Sequence, residues 1–326
     1  MIVLTRTEGV IDEMVLVNKK SLSERWKIGV RNARNNWVLY LFILPVLSYI
    51  ILFCYVPMYG IQIAFRDYTF AKGITDSPWV GLRWFESFIL SPDFFVLLRN
   101  TLAITLYSLV VGFPAPIIFA LIVNYLPSER FKKVTQTITY MPHFISVVVF
   151  VNMFTAFLSP VNGFINTIIK SLFGKAIYFI GDPSLYRHIY VWTGIWQGLG
   201  WGAIIYVAAL SSVSSELHEA AIIDGATKIK RMWHIDLPAI APTIVTTLIL
   251  RCGSLLSIGF AKSYLMQNAL NNDVSKVIST YVYSVGIKES KFGLATAVGL
   301  MQNVVNFIIL TSVNKFSKMV SESSLW

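Results

Sequence analysis

Charge is what this chain has least of. Asp, Glu, Lys and Arg make up 13% of its 326 residues, about half the ~25% of an ordinary soluble domain. With 55% hydrophobic residues beside so little charge, a water-soluble core of this length could not hide its apolar surface, which excludes a large soluble enzyme. The two cysteines, Cys54 and Cys252, both fall inside apolar stretches, so no disulfide framework organises the chain. The first 36 residues have no apolar run close behind a basic start; no cleavable leader is read there, and the first apolar span is expected to stay as an anchor. An ATP-cradling glycine loop is missing too: Gly174-Lys175 is followed by Ala176 and lacks the first glycine of that pattern. No His/Cys cluster has metal-ligand spacing, and no nucleophile–base pair or intramembrane carboxylate pair offers chemistry, so neither a catalytic residue nor a metal site is expected. The net charge of +10 would point to nucleic acid in a soluble protein. In a membrane chain, basic cytoplasmic loops and anionic lipid headgroups account for it, and no nucleic-acid partner is expected.

What is present is length without charge. A hydrocarbon layer of ~30 Å takes about 20 apolar residues in a helix. Six windows meet that requirement: residues 37–65, 100–128, 134–157, 188–210, 237–261 and 292–313. All are too long and uniform for barrel strands. Residues 55–60 are expected to bend or break the first window, Pro114 and Pro116 sit within the second, and Arg251 interrupts the fifth. The fold read from this is an all-α integral membrane protein with six transmembrane helices over residues 37–318. A cytoplasmic segment of residues 1–36 precedes it and a tail of residues 319–326 follows. Lys19, Lys20, Arg25, Lys27, Arg31 and Arg34 precede the first span, and Arg130, Lys132 and Lys133 fill the tight turn after the second. Basic residues beside span ends mark the cytoplasmic face, so both termini are expected inside a cell membrane, with Lys315 and Lys318 on the same side. An interfacial helix is expected around Phe164 to Phe173, and residues 262–291 form an outer segment.

One sizeable polar stretch lies between two strongly apolar spans late in the chain, at residues 214–236. Ser215 can cap a helix with Glu216 in its first turn. That helix can run through Asp224, and Gly225 supplies the left-handed residue that ends it. A second short helix, residues 228–236, leads to Pro238 in the first turn of span five. Ala220 and Ala221 leave one side of the first helix bare beside Glu219, so another backbone could approach closely. The element projects from the membrane and offers contact rather than chemistry.

The order Glu219-Ala220-Ala221, then Asp224-Gly225-Ala226, then Ile235-x-Leu237-Pro238, with Trp233 at a usually aromatic position, resembles the signature loop of ATP-binding-cassette importer permeases. Residues 59–65 (Tyr-Gly-Ile-Gln-Ile-Ala-Phe), 98–101 (Leu-Arg-Asn-Thr), 112–116 (Gly-Phe-Pro-Ala-Pro), 140–144 (Tyr-Met-Pro-His-Phe), 198–202 (Gly-Leu-Gly-Trp-Gly) and 324–326 (Ser-Leu-Trp) are similar to the oligosaccharide branch of those permeases. Members of that branch carry fragments of polysaccharides such as pectin or alginate. The resemblance implies the type I importer permease fold, with residues 214–236 as the cytoplasmic coupling loop and Glu219, Ala220, Ala221, Asp224, Gly225, Ala226, Leu237 and Pro238 as its contacts to an ATPase. It further implies a second homologous permease, two copies of an ATP-binding subunit, an extracytoplasmic solute-binding protein and an oligosaccharide cargo. ATP and Mg would bind the partner ATPase, with no cofactor on this chain. The rival is a stand-alone secondary sugar transporter, which ordinarily needs intramembrane acidic residues for its coupling ion; the six windows contain none.

For the translocation path the candidates are Arg251, Trp192, Trp196, Asn152, Gln302 and Asn306, with Asn303 beside them. A full charge within a span faces protein or water, so Arg251 either lines the path, where it would meet an acidic sugar, or pairs with carbonyls or a partner subunit. Trp192 and Trp196, with Trp201, either stack on sugar rings or form an aromatic belt and core. The amides line the path or hold helices together. His143 is read as structural, and Gly198 and Gly202 as sites of close helix packing.

Overall fold

The computed structural model describes residues 35–320. The N-terminal basic residues and the closing Ser324-Leu325-Trp326 lie outside the described residues. The chain divides into two compact units, the first ending at Gln62 and the second beginning at Ile63.

Helix α1 (Trp37–Ile50), in the first unit, is apolar all round and runs on through a wide turn, Ile51–Tyr55, into a tight helical stretch, Val56–Phe65, whose last three residues belong to the second unit. The segment expected to bend or break the window instead stays within one helix of residues 37–65 and changes only its winding. Pro57 lacks the N–H that an α-helix needs to bond the carbonyl four residues back, and the wide turn accommodates that loss.

The second unit is also helical, and an isolated bridge between Arg66 and Trp79 is its extended pairing among the described residues. Helix α2 (Arg83–Ile89) leads to α3 (Asp93–Tyr107) and α4 (Pro114–Asn124), joined by the wide turn Ser108–Gly112 into one span that begins seven residues earlier than the apolar window. Helix α5 (Glu129–Tyr140) continues through Met141–Phe144 and then bends by 99° into α6 (Val147–Phe157). The third window is therefore a bent pair rather than one straight helix. Pro142 and the extended Ser146, whose side chain accepts from the Val149 N–H, end one helix and start the next. Helix α7 (Phe164–Phe173) has the expected bounds, closed by left-handed Gly174. Helix α8 (Pro183–Leu210) is capped by Asp182, which accepts from the Ser184 N–H, with Pro183 in its first turn.

The polar stretch forms α9 (Ser215–Ile223) and α10 (Lys228–Arg231). Helix α10 does not stop at Asp236. It passes through the wide turn Met232–Asp236 into α11 (Leu237–Cys252), so residues 228–252 form one helix. Span five ends at Cys252 rather than near residue 261. A non-helical break follows, then α12 (Phe260–Met266), α13 (Asn272–Ser275), α14 (Ile278–Tyr283) and the long α15 (Phe292–Val320).

Three buried clusters hold these helices together. Ile117, Ala120, Leu121, Ala203, Tyr206, Leu210 and Ile240 join α4, α8 and α11 at the end nearest α9. Ile104, Phe150, Val151, Tyr190, Ile258 and Met266 fill the middle. Phe88, Leu97, Ile278, Tyr281, Leu294 and Val298 close the opposite end. Small residues set the closest approaches: a Cβ at Gly200 would lie 2.3 Å from the Thr139 carbonyl oxygen, so α8 and α5 meet backbone to backbone there.

Candidate functional site

Two places in the second unit carry function-bearing side chains. The first is the projecting element. Ser214, not Ser215, caps α9: its hydroxyl accepts from the Glu216 N–H at 3.2 Å. The helix ends at Ile223, one residue before Asp224. Gly225 then adopts φ +75°, its N–H donates to the Ile222 carbonyl at 3.0 Å, and the Ala226 N–H reaches back to the Ala221 carbonyl at 2.8 Å. This pair of bonds is the glycine-terminated helix end that a Cβ at residue 225 would strain. Thr227 immediately caps α10 by accepting from the Lys230 N–H at 3.4 Å. The sequence thus dictates a helix, a left-handed hinge and a second helix leading directly into span five.

What that element displays is unusual for a polar stretch. Glu219, Ala220, Asp224 and Gly225 are exposed, and so are Leu217, Ile222, Ile223, Ile229 and Trp233. Ile223 is 86% exposed. Large apolar side chains gathered beside a carboxylate on a protruding turn form a surface that a protein partner covers. Ala226 and Leu237 are half-buried. Along α9 itself only His218 and Ala221 turn inward. Asp236, fully buried at the foot of span five, takes a hydrogen bond from the Tyr125 hydroxyl at 2.5 Å and lies 3.2 Å from His218 Nε2.

The second place is a pair of adjoining open cavities, of about 210 and 230 Å³, between α3, α4, α8, α11 and α12. Both are lined by Ser108, Tyr190 and Arg251. The first continues along the break after span five through Ser254, Ser257 and Gly259; the second runs along Gly194, Gly198 and Gly202 to Lys262. Lys262 donates to the Tyr190 carbonyl at 2.7 Å and sits 4.5 Å from the Tyr190 ring and 5.4 Å from the Phe150 ring. Neither cavity is lined by a carboxylate, and no salt bridge to Arg251 or Lys262 is found among the described residues. Two basic side chains, Arg251 and Lys262, thus border the second cavity, and no carboxylate lines it.

The other path candidates lie elsewhere. Trp192 donates to the Tyr107 hydroxyl at 3.1 Å, and Trp196 packs on Phe150 and Phe154. Both occupy the face of α8 away from Gly194 and Gly198, and neither lines either of these two cavities. Asn152 is exposed on α6. Gln302 and Asn306 brace the break: Gln302 donates to the Leu256 carbonyl at 3.0 Å, Asn306 accepts from the Leu256 N–H at 2.9 Å, and Asn306 donates to Ser257 at 3.0 Å. Backbone freed from a helix at this depth has to be satisfied by protein, and these two amides do it. Gly202 packs closely on Pro116, but Gly198 has nothing within 4 Å of where its Cβ would be and opens the cavity instead. His143 stacks flat on Trp201, with centroids 4.5 Å apart. Lys262, which sequence reasoning left in an outer segment, is the residue it missed. The signal available was its place one helical turn after the serine- and glycine-rich residues 253–259, a composition that breaks a helix.

Residues 112–321 match the family model described as binding-protein-dependent transport system inner membrane component. Over 97% of its length the chain is 42% identical to protein LplB of Bacillus subtilis, covering 98% of that protein. It is also 42% identical, over 88% of its length and 90% of the relative, to the polygalacturonan/rhamnogalacturonan transport system permease protein YteP of the same organism. A chain of a bacterial alginate ABC transporter, crystallised in complex with its alginate pentasaccharide-bound periplasmic protein, superposes with a TM-score of 0.83 at 34% identity, over 90% of this chain and 99% of that one. The expected fold and class are borne out: this chain belongs to the binding-protein-dependent transport system inner membrane components, the multi-pass permease subunits of ABC importers, and is a transport subunit rather than an enzyme.

Proposed function

We propose that the chain imports oligosaccharides bearing carboxylates, fragments of pectin- or alginate-like polysaccharides, by alternating access driven by a partner ATPase. The observation that carries the cargo class is the pair of cavities faced by Arg251 and Lys262 with no carboxylate among their lining residues. A uronate supplies the missing negative charge, and Ser108, Ser254 and Ser257 supply hydroxyls for its ring oxygens. The named substrates of YteP and of the alginate transporter are polymers of acidic sugars, which agrees with this reading.

The drive comes through α9. Glu219 and the exposed Ile222, Ile223, Ile229 and Trp233 dock on an ATP-binding subunit, one of two beneath this chain and a second homologous permease. Nucleotide-driven closure of the ATPases pulls α9 and, through Gly225 and α10, the foot of span five, whose upper end carries Arg251. A solute-binding protein delivers cargo on the outer side, and the termini and α9 lie in the cytoplasm. Reconstituted with these partners, wild-type protein should take up an oligogalacturonate in an ATP-dependent manner and prefer it to a neutral oligosaccharide of equal length. Equal uptake of both would remove the acidic cargo from the proposal.

A further inference from the structure

We infer that His218, Asp236 and Tyr125 form a buried latch that makes span two and span five move as one body with α9; this inference rests on the permease reading above. The covalent route from α9 to span five passes through Gly225, a hinge, and a hinge alone transmits a pull loosely. A second connection bypasses it. Helix α9 is otherwise exposed, and of its side chains only those of His218 and Ala221 turn inward. The His218 side chain is 21% exposed, and its Nε2 lies 3.2 Å from Asp236 Oδ1, a close polar contact off the line of a hydrogen bond. The other oxygen, Oδ2, accepts from the Tyr125 hydroxyl at 2.5 Å. Tyr125 directly follows α4, the end of span two, and the Arg231 guanidinium covers its ring at 5.5 Å, so α10 closes over the same group. One fully buried carboxylate thus gathers α4, α9, α10 and α11.

A carboxylate removed from water keeps its partners, because leaving any of them exposes an uncompensated charge. The same carboxylate sits at the end of the wide turn Met232–Asp236, which displaces it from the regular helix face. Spans two and five line both cavities through Ser108 and Arg251. A displacement of α9 is therefore carried by the latch to two walls of the cargo site at once. In this role His218, Asp236 and Tyr125 are positioning residues; none touches cargo.

The test uses the complete transporter in proteoliposomes, with cargo uptake and ATP hydrolysis measured together for His218→Gln and Tyr125→Phe. Both variants are expected to co-purify with their ATPase and to lower the ratio of sugar moved to ATP hydrolysed by about five-fold or more. Asp236→Asn, whose amide oxygen still accepts from Tyr125 but which removes the carboxylate beside His218, is expected to fall between them and wild type. A purely structural role would lower the amount of assembled complex and leave the ratio alone. An unchanged ratio in both variants overturns the latch, as does loss of the ATPase from His218→Gln, which would make His218 a docking residue. Wild-type protein that shows no ATP-driven uptake breaks the permease reading instead, so the two failures are distinguishable.

Discussion

Arg251 and Lys262 carry the sharpest residue-scale expectations, since Arg251 lines both cavities, Lys262 lines the second, and no carboxylate lines either. Replacing Arg251 by Gln should raise the KM for an acidic oligosaccharide about tenfold, the effect of roughly 1.4 kcal/mol lost from a charge-assisted contact, and leave a neutral one nearly unchanged. Parallel uptake assays with both sugars check this, and an unchanged ratio dismisses Arg251 from substrate choice. Lys262→Met should act in the same direction. Gly200 makes a structural expectation of a different kind. A Cβ there would collide with the Thr139 carbonyl, so Gly200→Val should cost at least the roughly 1–3 kcal/mol of an overpacked site, read as a lowered thermal midpoint of the detergent-solubilised protein. How legible these residues were differs for a physical reason. Arg251 stood out because a charge inside an apolar window is conspicuous. Lys262 did not, because hydropathy places any lysine after a span into a loop, and only the break at residue 253 brings it back to the cavity. Trp192 and Trp196 were candidates by residue type and helical spacing; the phase they share puts them on the face of α8 opposite Gly194 and Gly198.

Among the elements, prolines explain much of the departure from straight spans. Wide turns at Ile51–Tyr55, Ser108–Gly112 and Met232–Asp236 each sit just before a proline, at Pro57, Pro114 and Pro238. In each case the carbonyl that loses its α-helical donor lies inside the turn. The prolines were visible in the sequence, but whether each would kink, break or merely widen its helix depends on neighbouring packing that a sequence does not display. The bend of 99° between α5 and α6 turns on the same packing, whereas the early end of span five left a trace in the serines and glycines of residues 253–259 that the hydropathy of the window outweighed. The break after Cys252 yields a test. Asn306→Leu strips the Leu256 N–H of its acceptor and should destabilise the protein by roughly 1–3 kcal/mol. Asn152→Leu, on an exposed position of α6, should leave the thermal midpoint near wild type. The polar element at residues 214–236 was the most legible of all, because Glu, Ala, Asp, Gly and Pro each impose a distinct backbone or surface requirement at fixed spacing. Its cap and the end of its first helix each shifted by one residue, and its second helix proved continuous with span five.

At the scale of the whole molecule, the proposal is of a membrane subunit that converts a partner's nucleotide cycle into movement of a cavity bordered by Arg251 and Lys262. Its own chemistry is contact: an exposed apolar and acidic turn, a glycine hinge, and a helix that starts at that hinge and ends at Arg251. Substitution at the hinge should separate the two halves of the cycle. Gly225→Val strains a residue held at φ +75° and should leave ATP hydrolysis in the assembled complex while sharply reducing transport. The measurement that bears most directly on the central claim is uptake of a labelled oligogalacturonate into proteoliposomes containing this chain, its partner permease and its ATPase, with binding protein outside and ATP inside. With an active ATPase, sugar should accumulate. With a hydrolysis-deficient ATPase in the same complex, accumulation should cease. Uptake that continues at the wild-type rate on the inactive ATPase, or that follows an imposed ion gradient instead, would contradict the account.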